Sequence, residues 1–387
     1  MTFELMAPCH FGMEACTKME IRANGWEVTE VTDGRVCFKG DESAVAGSNI
    51  FLRTTERILI KIGDFEAFTW DELFERTRAL PWENYIPWNG KFYVAKSASI
   101  KSKLFSPRDF QTIIQKAIVK RLQTHYRREG EMLPMNGAEY PIRVSAYKDR
   151  IVIGLDSSGE SLHKRGYRKL TAKAPITETL AAALLMLTPW NKERILVDPF
   201  CGSGTFLIEA AMMAADIAPG MKRDFAATGW ENLINRSCWY DAYDKAYDRA
   251  EAVNIAELKD MMDLQGYDID PDVLFAARKN AEDAGVRELI HFQERDVSLL
   301  SHPKKYGFII TNPPYGERLE EKESVGGLYQ TLGERYEALD DWSMYLITGF
   351  EDAEKYIGRK ADRNRKIYNG MMKTYFLSYM GKRPEKR

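Results

Sequence analysis

The segment Thr311-Asn312-Pro313-Pro314-Tyr315-Gly316 follows directly on the apolar run Phe308-Ile309-Ile310. Two consecutive prolines fix φ and remove two amide donors, so this loop presents carbonyl acceptors beside the Asn312 side-chain amide. Acceptors of that kind suit a planar amine carried by a base. The amine's lone pair is delocalised; hydrogen bonds from its two hydrogens to Asn312 Oδ1 and the Pro313 carbonyl would favour a tetrahedral nitrogen aimed at an electrophile. Tyr315 is placed to stack on the base, which must leave a helix or be unpaired to reach the loop. Asn312, Pro313, Pro314 and Tyr315 are the candidate catalytic residues, a purely structural loop being the alternative.

Upstream, Asp198-Pro199-Phe200-Cys201-Gly202-Ser203-Gly204-Thr205 lies between the apolar Ile195-Leu196-Val197 and a helical pattern. Glycines there let backbone approach a ligand at a helix N-terminus. A nicotinamide-binding loop would place a third glycine where Leu207 stands, and the Gly-Lys-Ser/Thr of a phosphate loop is missing, so diphosphate ligands are disfavoured. What remains is an acid-led glycine turn suited to a nucleoside that carries a positive group, which Asp198 would meet directly or through water. Gly266-Tyr267-Asp268-Ile269-Asp270-Pro271 ends the next strand pattern. Asp268 or Asp270 would accept hydrogen bonds from ribose hydroxyls, with a helix N-cap before Pro271 as the other reading of Asp270. Asp296 is placed either to accept from the exocyclic amine of an adenine or to serve as a surface-loop acid. The candidate cofactor-binding residues are Asp198, Pro199, Phe200, Gly202, Gly204, Thr205, Asp268, Ile269, Asp270 and Asp296. Five scattered histidines and five cysteines without a C-x-x-C pair predict no metal site and no disulfide framework.

These loops need strands to hold them. From Ile195 onward, short apolar runs (195–197, 265–269, 290–293, 308–310) alternate with helical patterns over 205–215 and 271–284, which predicts a parallel, doubly wound sheet. The N-terminal residues read differently. Phe3 to Ala7, a helix over 13–24 and a hairpin turning at Asp33-Gly34 form one small α+β unit. A second follows, with strands over 57–62 and 92–97, a helix over 70–79 capped by Thr69, a long helix from Ser106-Pro107 to Arg127, and a strand pair over 141–147 and 150–156.

Net charge is −2, but the halves differ in sign: 27 basic against 22 acidic residues up to Lys173, and 28 against 35 beyond it. Lys91 to Arg128 holds ten basic residues and the single acid Asp109. That clustering predicts a nucleic-acid surface, with Lys101, Lys103, Lys116, Lys120, Arg121 and Arg128 as candidate RNA-binding residues. A composition of 44% hydrophobic and 29% charged residues excludes wholesale disorder. With no run of 18 apolar residues and no secretory signal pattern, a cytoplasmic protein without a membrane partner is expected.

Taken together, the motifs at Asp198 to Thr205, Gly266 to Asp270, Asp296 and Asn312 to Tyr315 resemble those of class I S-adenosylmethionine methyltransferases acting on exocyclic amines. Leu162-His163-Lys164-Arg165-Gly166-Tyr167-Arg168, followed by Ala174-Pro175-Ile176, is similar to the leading motif of THUMP-bearing RNA guanine-N2 methyltransferases, and most to the bacterial branch acting on large-subunit ribosomal RNA. Ala218-Pro219-Gly220, Trp230 and Trp239 in the long insertion resemble the same branch, and the likeness spans nearly the whole chain. It implies a ferredoxin-like domain over residues 1–55, a THUMP RNA-binding domain over 56–160 and a Rossmann-like class I methyltransferase domain over 161–387. It also implies S-adenosylmethionine as cofactor and N2-methylguanosine in 23S ribosomal RNA as product. Transfer RNA guanine and an adenine N6 amine are the alternative targets; a catalytically silent RNA-binding or ribosome-assembly factor is the alternative of another class. Some enzymes of the branch carry a second methyltransferase domain, and this chain of 387 residues is expected to lack that second activity.

Overall fold

The apolar strand β1 (Phe3–Pro8) pairs antiparallel with β3 (Arg35–Gly40) on one side and β4 (Leu59–Glu66) on the other. Those pairings create one seven-stranded sheet in the order β2 (Glu27–Thr32), β3, β1, β4, β7 (Arg150–Asp156), β6 (Glu139–Tyr147), β5 (Lys91–Ile100). The computed structural model describes residues 1–169, 176–315, 321–370 and 372–384, with side chains described outside 321–324. Neighbouring strands are antiparallel except β5 and β6, which run parallel because the long helix α4 (Pro107–His125) carries the chain back. Shorter helices α1 (Glu14–Ala23), α2 (Glu42–Phe51) and α3 (Trp70–Ala79) accompany the sheet. Local chemistry sets their starts: Thr69 accepts from the Glu72 amide and Ser106 from the Asp109 amide. On α4, Phe110, Ile114, Ala117, Ile118 and Leu122 are buried at helical spacing, while Lys116 and Lys120 stay in water. The β6–β7 hairpin turns through Lys148 and Asp149, both in the left-handed region at φ 50° and 66°, as a tight two-residue turn requires.

The chain forms two compact units. One contains Met1–Cys9, Thr17–Leu162 and Arg223–Lys245, so the stretches expected as separate domains over 1–55 and 56–160 share a sheet. It also takes in a strap from the insertion expected within residues 161–387. Trp230 on this strap is fully buried, stacks on Tyr140 at 5.1 Å and donates its indole N–H to the Glu139 carbonyl at 2.7 Å.

The other unit contains His10–Cys16, His163–Lys222 and Ala246–Arg387. Its sheet runs β10 (Ile290–Glu294), β9 (Leu264–Asp268), β8 (Leu196–Asp198), β11 (Phe308–Thr311), β12 (Ser343–Thr348), β14 (Met372–Tyr379), β13 (Arg363–Asn369). The first five strands are parallel, as predicted, and one edge adds a pair that the alternation did not reveal. There β14 and β13 form an antiparallel hairpin against β12. Side-chain alternation splits the apolar runs between two cores: Phe308, Ile310, Tyr345 and Ile347 face α5 (Glu178–Met186), α6 (Thr205–Ala214) and α9 (Pro271–Ala284), whereas Ile309, Met344 and Leu346 face α10 (Glu321–Glu337) and α11 (Ala353–Ile357). Helices α7 (Arg236–Glu251) and α8 (Ile255–Met261) lead from the insertion into β9. Among the described residues no helix is long and apolar enough to cross a membrane.

Candidate active site

Strand order reverses between β8 and β11, and in open α/β sheets ligands bind beyond the carboxyl ends of the strands at such a switch point. Asp198 ends β8 and Asn312 follows β11, so the two strongest sequence motifs meet there. Thr311 Oγ1 donates to Asp198 Oδ1 at 2.6 Å, and the Phe200 amide donates to the same oxygen at 3.2 Å. Asp198 is only 2% exposed; burial pushes its carboxyl up to about 7, with the nearby Asp268 charge adding to the rise and the two hydrogen bonds opposing it. Its position makes it the tie between two loops.

The glycine turn is shaped by its backbone. The Cys201 amide donates to the Tyr267 carbonyl at 2.9 Å, and the Gly204 amide to the Cys201 carbonyl at 2.8 Å. Gly202 and Gly204 both take positive φ, 52° and 82°. A Cβ on Gly204 would sit 3.1 Å from Phe292 Cζ, whereas one on Gly202 would meet nothing within 4 Å. Gly204 caps α6 without a side chain, which leaves first-turn amides for a ligand. Pro199 is buried and Phe200 half-buried. Asp268 accepts from the Gly202 amide at 3.1 Å and, through its other oxygen, from the Asp270 amide at 3.1 Å. Two backbone amides thus hold a partly exposed carboxylate at the strand end, with lone pairs left over for ribose hydroxyls. This combination of open turn, uncapped helix start and aimed carboxylate fits a nucleoside ligand.

Other predicted residues occupy plainer positions. Asp270 caps α9, accepting from the amides of Asp272 at 2.9 Å and Val273 at 3.3 Å, which is the helix-cap reading. Asp296 is exposed and accepts from the Ser298 amide at 2.8 Å; the Ser298 hydroxyl first, and this amide second, hold its carboxyl below the usual range. Ile269 is exposed on the loop after β9, and Leu299 is exposed on the loop after β10.

In the loop after β11, Pro313 is buried, Pro314 exposed, and Asn312 and Tyr315 half-buried. The Tyr315 hydroxyl donates to Asn312 Oδ1, and its ring lies against Gly349, where an added Cβ would come within 3.2 Å of Tyr315 Cδ2. Burial raises the phenol well above its usual range. Tyr315 therefore engages the acceptor expected to meet the amine instead of standing open for stacking. Gly316 lies outside the described residues.

Sequence reading assigned the leading motif no contacts, and the structure supplies them. Tyr167 donates to Glu209 Oε1 at 3.1 Å and Arg165 Nε lies 3.4 Å from the same oxygen, both fully inside the protein. Arg168 pairs with Glu178 at 3.1 Å and donates to the Thr205 hydroxyl and, at 2.9 Å, to the Ile176 carbonyl. Thr205 and Glu209 stand one turn apart on α6, so the motif is fastened to the helix that opens on the glycine turn. Ala174 and Pro175 lie outside the described residues.

The basic residues lie in the N-terminal unit. Lys101, Lys103, Lys116 and Lys120 are exposed. Arg121 forms a two-pronged pair with Glu83, Nε to Oε2 at 2.8 Å, so its charge is already engaged. Arg128 lies over the Trp88 ring at 5.1 Å with Glu131 at 3.5 Å.

Fold and switch-point site together define a class I methyltransferase domain attached to an α+β unit. Over residues 165–377 the sequence matches the family described as UPF0020, RMKL-like methyltransferase domain, over 4–59 the RlmL ferredoxin-like domain, and over 67–156 the THUMP domain. The chain belongs to this RMKL-like methyltransferase family. It is 43% identical, over all of its length and 98% of the relative's, to YpsC of Bacillus subtilis (strain 168), whose name proposes an RNA methyltransferase without asserting one. It is 32% identical to the Ribosomal RNA large subunit methyltransferase K/L of Cellvibrio japonicus (strain Ueda107), covering 98% of this chain and 51% of that longer protein. Two solved structures superpose with a TM-score of 0.90. One is SMU.472, named as a proposed methyltransferase and complexed with SAH, at 40% identity with 99% of both chains covered. The other, from Listeria monocytogenes str. 4b F2365, is named from its sequence an N6-adenine-specific DNA methylase, at 41% identity with 99% of this chain and 97% of that one covered.

Proposed function

We propose that the protein is an S-adenosylmethionine-dependent RNA methyltransferase that forms N2-methylguanosine, with large-subunit ribosomal RNA as substrate. The observation that carries this reading is the placement of Asn312 and Pro313 at the carboxyl end of β11, beside the glycine turn of β8 and the carboxylate of Asp268. Asp268 would hold the ribose of the cofactor, and the Gly202 to Gly204 backbone would border its amino-acid end. The THUMP match, the exposed lysines of the N-terminal unit and the relative named for ribosomal RNA support an RNA substrate.

The cofactor supplies an electrophilic methyl on a sulfonium whose departure as a neutral thioether needs no acid. The protein's task is therefore orientation. Asn312 Oδ1 and the Pro313 carbonyl accept the two amine hydrogens, which turns the nitrogen lone pair out of the base plane. As the nitrogen–carbon bond forms and the carbon–sulfur bond breaks, the nitrogen becomes cationic and then releases one proton through these acceptors to water. Asn312 Oδ1 has two lone pairs, so it can take the amine beside the Tyr315 hydroxyl; release of that hydroxyl would free the ring for stacking on the base.

Incubation with methyl-labelled S-adenosylmethionine and, separately, ribosomal RNA, transfer RNA and DNA from cells lacking the gene, followed by nucleoside digestion, tests this. Label in N2-methylguanosine from ribosomal RNA is expected; label in the transfer RNA pool would move the substrate. Adenine N6 is the second reading, favoured by the Listeria neighbour's name, and label in N6-methyladenosine would establish it. No label in any pool, with tight RNA binding, would overturn the enzyme reading in favour of a binding or assembly factor.

A further inference from the structure

At one end of the N-terminal sheet, three chain segments are tied into a single tip. Ile100 pairs with Tyr147 across β5 and β6, and the Lys148 amide donates to the Ile100 carbonyl at 3.1 Å. Asp149 organises the rest. Its carboxylate accepts from the Lys103 amide at 2.7 Å, its amide donates to Ser102 Oγ at 2.9 Å, and its carbonyl accepts from the Ala67 amide at 3.0 Å. Lys101 is held at φ 52° beside Lys148 and Asp149, which are also left-handed. Such backbone is uncommon for residues with a Cβ, and three of them in one tip mark a rigidly built feature.

What this tip displays is apolar. Phe105 is 76% exposed, Ile100 58%, Tyr147 49% and Phe68 41%. Lys103 Nζ lies 4.8 Å from the Phe68 centroid and Lys148 Nζ 5.3 Å from that of Tyr147, so ammonium groups sit against rings that also meet water. Lys101 is exposed alongside. The acids nearby are Asp149, whose carboxylate is engaged by backbone, and the exposed Glu66 and Asp109. Exposed rings interleaved with lysines match the requirements of unpaired nucleotides: π-faces for the bases and cations for the phosphates. A regular duplex keeps its bases stacked inside and shows these rings only the outer faces of its two end pairs.

We infer that this tip is a stacking platform for a single-stranded stretch of the RNA substrate, with Phe68, Phe105 and Tyr147 taking bases and Lys101, Lys103 and Lys148 the backbone. The inference rests on the RNA reading above and adds the unpaired character of the bound segment. Its test uses the full chain, a labelled mixed-sequence RNA of about ten unpaired nucleotides, and a long duplex carrying the same sequence, in which end pairs are few. Phe105→Ala with Tyr147→Ala is expected to weaken single-strand binding at least about tenfold, since each stacked base contributes a comparable factor. Duplex binding and the slope of log Kd against log salt should hold. Phe105→Leu with Tyr147→Leu, which keeps apolar surface but removes the rings, should lose single-strand affinity to a similar extent. Lys101→Ala with Lys103→Ala should instead flatten the salt slope by about one unit per phosphate left without its lysine. Unchanged single-strand affinity in both ring variants, equal losses on strand and duplex, or affinity restored by leucine would overturn the platform. So would a wild-type dimer abolished by the alanine pair, which would make the tip an interface between copies. Failure of the RNA reading itself looks different: wild type would bind neither RNA, and methyl label would appear only in DNA.

Discussion

At the scale of single residues, Asn312 and Asp198 do different work and fail differently when changed. Asn312→Ala removes one of two acceptors that turn the amine lone pair, while leaving the nucleoside end of the site intact. Methyl transfer is expected to fall by about 100-fold or more, comparable to deleting one preorganised polar group at a reacting centre, with SAH affinity by calorimetry within twofold of wild type. Equal losses in both would place Asn312 in binding instead. Asp198 carries a pH signature. Its carboxyl titrates near 7 in the folded chain against an ordinary value of 3.8. Between those values the folded state holds more protons than the unfolded state, so stability falls as pH rises, by at most about 1.4 kcal/mol per unit. In Asp198→Asn that dependence should vanish from the denaturation midpoint measured from pH 5 to 8; a variant that retains the wild-type slope would refute the buried-acid assignment. Asp270 shows where residue-level reading stops: a helix-cap acid and a ribose acceptor are the same side chain at the same spacing, and the bonds to Asp272 and Val273 establish the cap while engaging only Oδ1.

At the scale of elements, the buried pair of Glu209 on α6 with Arg165 fixes the leading motif to the cofactor-side helix. Replacing Glu209 with Ala strips a wholly buried guanidinium of its main counter-charge, a change that costs about 3 kcal/mol or more. The denaturant midpoint should drop accordingly, whereas the paired change Arg165→Met with Glu209→Leu should recover most of it. A small effect of Glu209→Ala would show that the cluster is dispensable. Helix α4 offers a surface counterpart. Lys116→Glu with Lys120→Glu should weaken RNA binding and flatten its salt dependence by about one unit for each phosphate no longer neutralised, with thermal stability unmoved. Unchanged affinity and slope would remove α4 from the interface. Its stripe was legible because five buried apolar positions recur at helical spacing behind a Ser-Pro start. Helix α2 went unread although Asp41 caps it, accepting from the Ala44 amide. It is buried from Ala44 through Phe51, so it lacks the polar face that makes helical periodicity visible.

At the scale of the whole molecule, the compact units cut across chain order. Residues 223–245, inserted between the two cofactor motifs, pack with the N-terminal unit. Besides Trp230, this strap sends Asn232 to accept from the Tyr140 hydroxyl at 2.6 Å, and Arg223 to donate to the Ser161 carbonyl at 2.6 Å. A fragment of residues 1–162 would expose Tyr140 and neighbouring apolar surface that Trp230 covers. It is expected to unfold with low cooperativity in denaturant, and appending residues 223–245 through a flexible linker should restore a sharp transition. In the full chain, Trp230→Ala should cost about 3–5 kcal/mol, seen in unfolding of the N-terminal unit. A cooperative, stable 1–162 fragment would show the strap to be an accessory.

The chemistry of the site was determined locally, and the sequence carries it openly. Asp198 to Thr205, Gly266 to Asp270 and Asn312 to Tyr315 each sit at a strand end, because an apolar run followed by a turn motif is a short-range pattern that one stretch of chain contains in full. The same holds for the Thr69 and Ser106 caps and the α4 stripe. Tertiary structure alone decided the rest: that β1 joins β4 into one sheet, that β14 and β13 close the second sheet antiparallel, that Arg165 and Arg168 reach Glu209 and Glu178, and that Tyr315 engages Asn312. All but the last depend on a partner distant in sequence, and the last on how the packed surroundings orient one ring. Spacing along the chain holds no information about such pairings, since they are selected by which buried surfaces and charges find each other only after the elements have packed.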